Sequence, residues 1–235
     1  MNNYKSKLFS ILGDSVSTLS LHSEPQDAVF YEGENKLLSN VYAPIDTWWG
    51  QVIEALEGEI LVNNSFSGSM VCKHKKCAIP SYGCSDERVG ALSKKGISPD
   101  VIMVYMGTND WGHGVKLYPN TEEQNDISIF YVAYDEMIKK LRCNYPEAEI
   151  WCFTLAISNT KQSKGVDFPY CFGGVHIEKY CEIIKEVSIK HNCKLIDLYK
   201  NDKHFDTFDG FHPNKDGMKI IADAVLTQLA NSDKM

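Results

Sequence analysis

The sequence lacks the long apolar segments that would place it in a membrane. Hydrophobic residues make up 43% of its 235 residues, but no stretch approaches the roughly 20 apolar residues of a spanning helix. The apolar run near the N-terminus, residues 8–12, is also shorter than the roughly 7–15 residues of a signal peptide's apolar region. We therefore expect a cytoplasmic protein that does not span a membrane.

Positive charge is also scarce. The chain has 24 lysines and arginines against 31 aspartates and glutamates, which gives a formal net charge of −7. Nucleic-acid binding depends on clustered basic residues that neutralise phosphates, so we expect no nucleic-acid partner. The one basic run, residues 73–76, is short and is interpreted as a solvated loop rather than a phosphate site.

Two kinds of ligand motif are missing as well. No G-x-x-x-x-G-K-[ST] or G-x-G-x-x-G follows the first predicted strand, which argues against a nucleotide or phosphate binder. The eight cysteines include no C-x-x-C pair, although structural zinc sites usually use two tight ligand pairs. Zinc at Cys72, His74, Cys77 and Cys84 is an alternative, but the expectation is free thiols with no metal and no cofactor.

What the sequence does contain is an alternation of apolar strands and amphipathic helices. Short apolar segments predict five buried strands, at residues 7–13, 59–64, 100–107, 149–155 and 193–199. Helical spacing predicts helices at 47–58, 86–95, 128–145, 174–192 and 214–232. Buried strands alternating with helices form a parallel sheet covered on both faces. We therefore predict a single α/β domain over residues 1–235, a three-layer α/β/α sandwich with a five-stranded parallel sheet.

Four segments without a clear element follow predicted strands, namely 16–46, 64–84, 108–127 and 156–173. Open α/β sheets bind ligands outside the carboxyl ends of their strands, and loops this long in a compact domain are often functional. We expect the four loops to surround one crevice.

Residues suited to acyl-ester hydrolysis stand at the predicted strand ends. Ser15 follows the first strand, Gly68 the second, Asn109 the third, and Asp209 and His212 the fifth. A serine nucleophile needs an adjacent base, an imidazole can take the proton and return it, and a carboxylate orients the imidazole. The backbone N–H groups of Ser15 and Gly68 and the Asn109 side chain would form the oxyanion hole.

Each motif alone has a plainer interpretation. Gly-Asp-Ser is a common turn, Asn109 could cap backbone after a strand, and His212-Pro213 could lead into a helix. His74 and His113 are alternative bases, but neither has an aspartate at a spacing expected to orient it as well as Asp209 orients His212. The ordered combination at successive strand ends favours a Ser-His-Asp site.

This ordered set resembles the GDSL-type esterase/lipase superfamily, also called the SGNH hydrolases. "LGDS" matches the block with the nucleophile, "NNSFSG" and "GTND" match the blocks with the oxyanion-hole glycine and asparagine, and Asp-x-x-His matches the last block. The resemblance spans residues 12–214 and implies a flavodoxin-like sandwich and metal-independent acyl-ester hydrolysis. Two departures stand out: Val16 replaces the leucine after the serine, and the stretch 18–46 is longer and less regular than in many members. The second departure leaves the shape of the acyl pocket open.

Contacts to the substrate are predicted from neighbouring residues. Asp14, Asp110 and Trp111 are substrate-binding candidates, although the two aspartates could instead hold loop backbone by hydrogen bonds. Trp48-Trp49 also lies near the predicted crevice in the sequence. Further candidates for the leaving-group side are Phe66, Phe168 and Phe172.

The expected partner is a small-molecule or carbohydrate acyl ester, with a short acyl chain and with O-acetyl groups on a carbohydrate as one candidate. The alternatives are a lipase- or thioesterase-type acylhydrolase, and a non-catalytic glycan- or acyl-binding module on the same fold. The sequence does not indicate an oligomeric state.

Overall fold

The structure is a computed structural model, and it describes residues 2–24, 28–75, 82–159, 162–163, 166–167, 174–201 and 203–232. Among these residues, no helix combines the length and apolar character needed to cross a membrane.

The described strands form one parallel sheet and one short antiparallel pair. In chain order they are β1 (Leu8–Gly13), β2 (Glu59–Ser65), β3 (Val101–Tyr105), β4 (Glu149–Phe153), β5 (Gln162–Ser163), β6 (Val166–Asp167) and β7 (Lys194–Ile196). The five-stranded sheet has the order β2-β1-β3-β4-β7, and all its pairs are parallel. Strands β5 and β6 form an antiparallel pair. The predicted five-stranded parallel sheet is therefore confirmed.

Helices cover the sheet on both faces, as predicted. They are α1 (Gly33–Ser39), α2 (Trp48–Ala55), α3 (Asp86–Gly90), α4 (Thr108–Gly112), α5 (Phe130–Asn144), α6 (Ile177–Lys190) and α7 (Lys215–Ser232). Helix α2 packs against α7, while α5 packs against α3 and α6. The helices thus form two separate groups, and the sheet between them makes the middle layer of an α/β/α sandwich.

The hydrophobic core runs along the sheet and into both helical layers. The central strands β1 and β3 are buried over nearly their whole length, which explains why they read as continuous apolar runs. Aromatic rings of β1 and β4 meet edge to face: the ring centroids of Phe9 and Trp151 lie 5.8 Å apart. Such burial of apolar side chains supplies most of the stabilisation of a domain of this size.

Helix α3 is shorter than the predicted helix over 86–95, since it ends at Gly90. Glycine loses more backbone entropy in a helix than other residues do. Beyond it, the chain makes a tight turn in which Lys94 and Ile97 exchange backbone hydrogen bonds, with positive φ at Lys95 and Gly96. Helices α1 and α4 were not predicted, since seven and five residues are too few to show a helical period.

The sheet order reverses at β1, which lies between β2 and β3. Gly13 at the end of β1 is level with Ser65 of β2 and with Tyr105 of β3. The segments that follow these three strands therefore leave the sheet at the same edge. Ligands of open α/β sheets bind at this kind of switch point, outside the carboxyl ends of the strands.

Candidate active site

Ser15 begins a single 3-10 turn, Ser15–Ser17, directly beyond β1. Asp14 caps this turn, and its Oδ1 atom accepts a hydrogen bond of 3.1 Å from the Val16 N–H. Gly13 leaves no room for a side chain, because a Cβ atom there would lie 2.6 Å from Ser65 Oγ and 2.8 Å from Ser17 Cβ. The Gly-Asp-Ser sequence thus fixes the point at which Ser15 leaves the sheet.

The first two residues of α2, Trp48 and Trp49, bind the Ser15–Ser17 turn through hydrogen bonds to Ser17. The Trp48 indole N–H donates to Ser17 Oγ at 3.2 Å, and the Trp49 indole N–H donates to the Ser17 carbonyl at 3.0 Å. The Asn63 Nδ2 atom donates to the same carbonyl at 2.8 Å. Trp48-Trp49, expected near the crevice, therefore lies under the serine turn and is buried.

His212 connects Ser15 to Asp209 by two hydrogen bonds. Its Nε2 atom lies 2.9 Å from Ser15 Oγ, and its Nδ1 atom lies 2.9 Å from Asp209 Oδ2. The other carboxylate oxygen of Asp209 accepts the backbone N–H groups of His212 and Phe211, at 2.7 Å and 2.9 Å. The structure thus brings together the three residues predicted as a Ser-His-Asp set, in the linear order that proton transfer requires.

The environment of Asp209 keeps this carboxyl ionised. Burial acts to raise its pKa, but the hydrogen bond and charge of His212 and the two backbone N–H donors outweigh burial and hold the pKa well below its usual range. An ionised carboxylate at Nδ1 favours the tautomer of His212 that leaves Nε2 free to accept a proton.

Two aromatic residues of the 28–32 segment also support the histidine. The Phe30 ring stacks on the His212 imidazole, with centroids 3.6 Å apart and planes inclined by 20°. The Tyr31 hydroxyl is buried and donates to the Pro213 carbonyl at 2.8 Å. Sequence reasoning missed both residues, because they lie in the irregular stretch 18–46 where no period marks them.

The predicted oxyanion-hole residues are Gly68, which follows β2, and Asn109, which lies in α4. Gly68 has a positive φ of 74°, a conformation that residues with a side chain seldom adopt. The Asn109 Nδ2 atom donates to the Ser69 carbonyl at 2.9 Å. Since an amide nitrogen carries two N–H groups, this bond orients Asn109 and leaves a second donor for an oxyanion.

Asp14 and Asp110 are both buried, and each holds loop backbone. Asp110 accepts the N–H groups of Val71 and Cys72, at 2.8 Å and 3.1 Å. Burial raises the pKa of Asp14 to about 7, although its hydrogen bonds and the charge of Arg88 oppose the shift. Burial likewise raises the pKa of Asp110. These contacts favour the loop-holding alternative for both aspartates over direct contact with substrate.

The structure does not support the other residues predicted to contact the substrate or to act as the base. Trp111 is fully buried and its ring lies parallel to that of Phe211, 6.4 Å away, so it presents no surface to a substrate in this structure. Phe66 is buried and packs on Arg88, whose Cζ atom lies 4.0 Å from the ring centroid. Phe168 and Phe172 lie outside the described residues. Neither His74 nor His113 is the imidazole bonded to Ser15.

The described cysteines include Cys72 and Cys84, both buried free thiols. Burial raises the pKa of each thiol, which disfavours the thiolate that zinc binds. Cys77 of the alternative zinc set lies outside the described residues. Within the described part of the chain, no group of three His, Cys, Asp or Glu side chains could hold a metal ion.

A parallel α/β/α sandwich that carries a serine, an imidazole and a carboxylate in hydrogen-bond contact has the architecture of a serine hydrolase. The sequence model of the GDSL-like lipase/acylhydrolase family matches residues 7–168. The chain therefore belongs to the GDSL-like lipase/acylhydrolase family, and it is a carboxylic ester hydrolase. The matched region contains Ser15, Gly68 and Asn109 but ends before Asp209 and His212.

Solved structures share the fold over nearly the whole chain. A protein described as a GDSL-like lipase from Bacteroides ovatus is 23% identical, with a TM-score of 0.72 over 97% of this chain and 99% of that one. Its counterpart from Bacteroides uniformis is 25% identical, with a TM-score of 0.70 over 96% of both chains. A carbohydrate acetylesterase from Sinorhizobium meliloti is 14% identical, with a TM-score of 0.64 over 96% of this chain and 99% of that one. A search of curated protein sequences found no match.

Proposed function

We propose that this chain hydrolyses short-chain acyl esters, with O-acetylated carbohydrates as its preferred substrates, through a Ser15-His212-Asp209 triad. The observation that carries the proposal is the unbroken pair of 2.9 Å contacts, from Ser15 Oγ to His212 Nε2 and from His212 Nδ1 to Asp209 Oδ2. A serine hydroxyl is a weak nucleophile by itself, and a positioned base removes that limit.

In the first half of the reaction, Ser15 Oγ attacks the ester carbonyl while His212 Nε2 accepts the hydroxyl proton. The carbonyl oxygen becomes an oxyanion that the Ser15 and Gly68 backbone N–H groups and the free N–H of Asn109 stabilise. As the tetrahedral intermediate collapses, the C–O bond to the alcohol breaks and the imidazolium returns its proton to the departing oxygen. Ser15 is left acylated.

In the second half, water takes the place of the alcohol. His212 removes a proton from the water as it attacks the acyl carbon, and the same donors hold the second oxyanion. Breaking the bond to Ser15 Oγ releases the carboxylic acid and returns the proton to the serine. Asp209 stays ionised throughout, because its role is to orient the imidazole and stabilise its charged form.

Two observations support a small acyl group and a carbohydrate alcohol. Ser15 is only 4% exposed, so a small acetyl group approaches it more readily than a bulky acyl chain does. Carbohydrate esterases are also among the proteins that share this fold, including the acetylesterase from Sinorhizobium meliloti.

The experiment compares wild type with Ser15→Ala on p-nitrophenyl esters of two to twelve carbons, on acetylated xylan and on O-acetylated sialic acid. We expect turnover to be highest for acetyl esters and to disappear in Ser15→Ala, whose circular dichroism should match wild type. Preference for long chains would indicate a lipase-type acylhydrolase, and full activity of Ser15→Ala would overturn the triad. Binding without turnover by wild type would indicate a glycan- or acyl-binding module.

A further inference from the structure

Arg88 is a fully buried cation, with 1% of its surface exposed. It lies on the short helix α3, outside the four sequence blocks that suggest the catalytic site. Its guanidinium donates to oxygens of three residues: to Gly13 O at 3.0 Å, to Asn64 O at 2.8 Å, to Asn64 Oδ1 at 2.5 Å and to Ser69 Oγ at 2.7 Å. Burying a charge is costly, so a buried arginine with this many directed bonds calls for a structural or functional reason.

The oxygens that Arg88 binds belong to the segments that carry the proposed oxyanion donors. Gly13 ends β1 two residues before Ser15, and Asn64 lies at the end of β2. Ser69 follows Gly68 directly, and its carbonyl oxygen accepts the Asn109 Nδ2–H at 2.9 Å. One guanidinium is therefore bonded directly to the segment with Ser15 and to the segment with Gly68. It is connected to Asn109 through Ser69.

Arginine is suited to this position because its planar group presents five N–H donors in fixed directions. Lysine would place a single ammonium group there, with the same charge but without the fork that reaches three residues at once. The Phe66 ring lies 4.0 Å from the Arg88 Cζ atom, which fixes the plane of the guanidinium from one face. The hydrogen bonds and the packing on Phe66 therefore hold the Arg88 guanidinium in one orientation.

We propose that Arg88 is a positioning residue for the oxyanion hole, an inference that rests on the proposed ester hydrolysis. Arg88 does not touch the substrate. It holds the Gly68 and Asn109 donors at a fixed distance from Ser15, and such preorganisation is what makes an oxyanion hole effective. Displacing reacting groups by about 1 Å can lower a rate by about 100-fold, so replacing Arg88 should lower kcat by about that factor and change KM little.

The experiment uses the other arginine of the sequence as a matched control. Arg142 also donates to several backbone carbonyls, those of Ala148, His191 and Asn192, which lie near the amino ends of β4 and β7. Arg88→Lys and Arg142→Lys thus each remove hydrogen bonds to the backbone, the first at the carboxyl ends of the strands and the second near their amino ends. We expect kcat on p-nitrophenyl acetate to fall in Arg88→Lys and to stay near the wild-type value in Arg142→Lys.

A second readout separates positioning from general damage to the fold. Each variant is also assayed with the matching thionoester, in which the carbonyl oxygen is sulfur. Sulfur is larger and accepts hydrogen bonds weakly, so an intact oxyanion hole favours the oxygen ester strongly. The ratio of kcat/KM for the oxygen ester to kcat/KM for the thionoester should fall in Arg88→Lys and stay at the wild-type value in Arg142→Lys. An unchanged ratio in folded Arg88→Lys would overturn the inference.

If Arg88→Lys does not fold, Ser69→Ala decides the question, because it removes one acceptor of Arg88 and leaves the cation in place. It should lower the same ratio in the same direction by a smaller factor, and an unchanged ratio contradicts the inference. The wild-type protein keeps the two proposals distinguishable. A wild type without esterase activity overturns the proposed function together with this inference. If the wild type is active and the ratio is unchanged in both Arg88→Lys and Ser69→Ala, only this inference is overturned.

Discussion

The two sides of the site are built from different kinds of structure. The serine side stands on the ends of β1, β2 and β3, where strand register, Gly13 and the bonds of Arg88 leave the backbone little freedom. The histidine side is a loop: the described residues 203–214 form isolated bridges but no helix or strand. The nucleophile and oxyanion donors are therefore placed by the sheet, while the base is placed by side chains that pack around it.

The packing around the base comes from a distant part of the sequence. Phe30 and Tyr31, from the long stretch after the nucleophile, contact His212 and Pro213. That stretch was the main departure from the family pattern, and sequence analysis connected it with the shape of the acyl pocket. The structure gives part of it a different role, since its aromatic residues hold the histidine loop against the serine turn.

The largest effect is expected from removing the base. His212→Ala leaves Ser15 without an acceptor for its proton, so kcat should fall by a factor on the order of a million. Initial rates on p-nitrophenyl acetate measure the loss. His113→Ala is the control, because His113 is one of the two alternative bases and is not the imidazole that bonds Ser15 in this structure. A larger loss in the control than in His212→Ala would reverse the assignment of the base.

A smaller loss is expected on the serine side from Asn109→Ala. Removing one oxyanion donor typically lowers a rate by about 100- to 1000-fold, and Asn109 also holds the Ser69 carbonyl. The loss should appear in kcat, with KM nearly unchanged, because the oxyanion exists only in the transition state and intermediates. A change confined to KM would show that Asn109 binds the substrate instead.

Weakening the aromatic support of the histidine should have a smaller effect still. Phe30→Leu keeps an apolar side chain but removes the stacked ring, and an aromatic contact of this kind contributes about 0.5–1.5 kcal/mol. We expect kcat to fall by about 2- to 10-fold. Tyr31→Phe removes only the hydroxyl bond to Pro213, so comparing the two variants separates stacking from hydrogen bonding. Wild-type rates in both variants would show that the loop holds the histidine without them.

The last effect concerns stability rather than rate, and it belongs to the serine side. Burial raises the pKa of Asp14 to about 7 in the folded protein, whereas an unfolded aspartate ionises near pH 4. Between these values the folded state binds more protons, so Asp14 lowers the free energy of unfolding as pH rises from about 4 to 7, by at most about 1.4 kcal/mol per pH unit.

Asp14→Asn should remove this decline. Urea unfolding at pH 5 and pH 8 gives the free energy of unfolding of both proteins. Relative to wild type, Asp14→Asn should be more stable at pH 8 than it is at pH 5. Equal differences at the two pH values would show that the Asp14 carboxyl does not take up a proton on folding.

The fold and the five principal site residues could be predicted because each leaves a local mark. Strands β1 and β3 are buried on both faces and so read as apolar runs. Ser15 and Asn109 lie in short motifs just beyond predicted strands, and Asp209 and His212 form an Asp-x-x-His motif. Arg88, Phe30 and Tyr31 leave no such mark. Their contacts join segments that are far apart in the sequence, and neither a buried arginine nor a stacked phenylalanine differs locally from an ordinary helix or loop residue.

The triad is tested most directly by covalent labelling of the folded protein with a fluorophosphonate, followed by mass spectrometry of its peptides. The reagent reacts with a serine that a neighbouring base activates, and the oxyanion donors stabilise its phosphonyl oxygen. A Ser15-His212-Asp209 triad predicts one label per chain, on the peptide that contains Ser15, with slow labelling in His212→Ala and none in Ser15→Ala. Labelling of another residue, or equally fast labelling of wild type and His212→Ala, would contradict it.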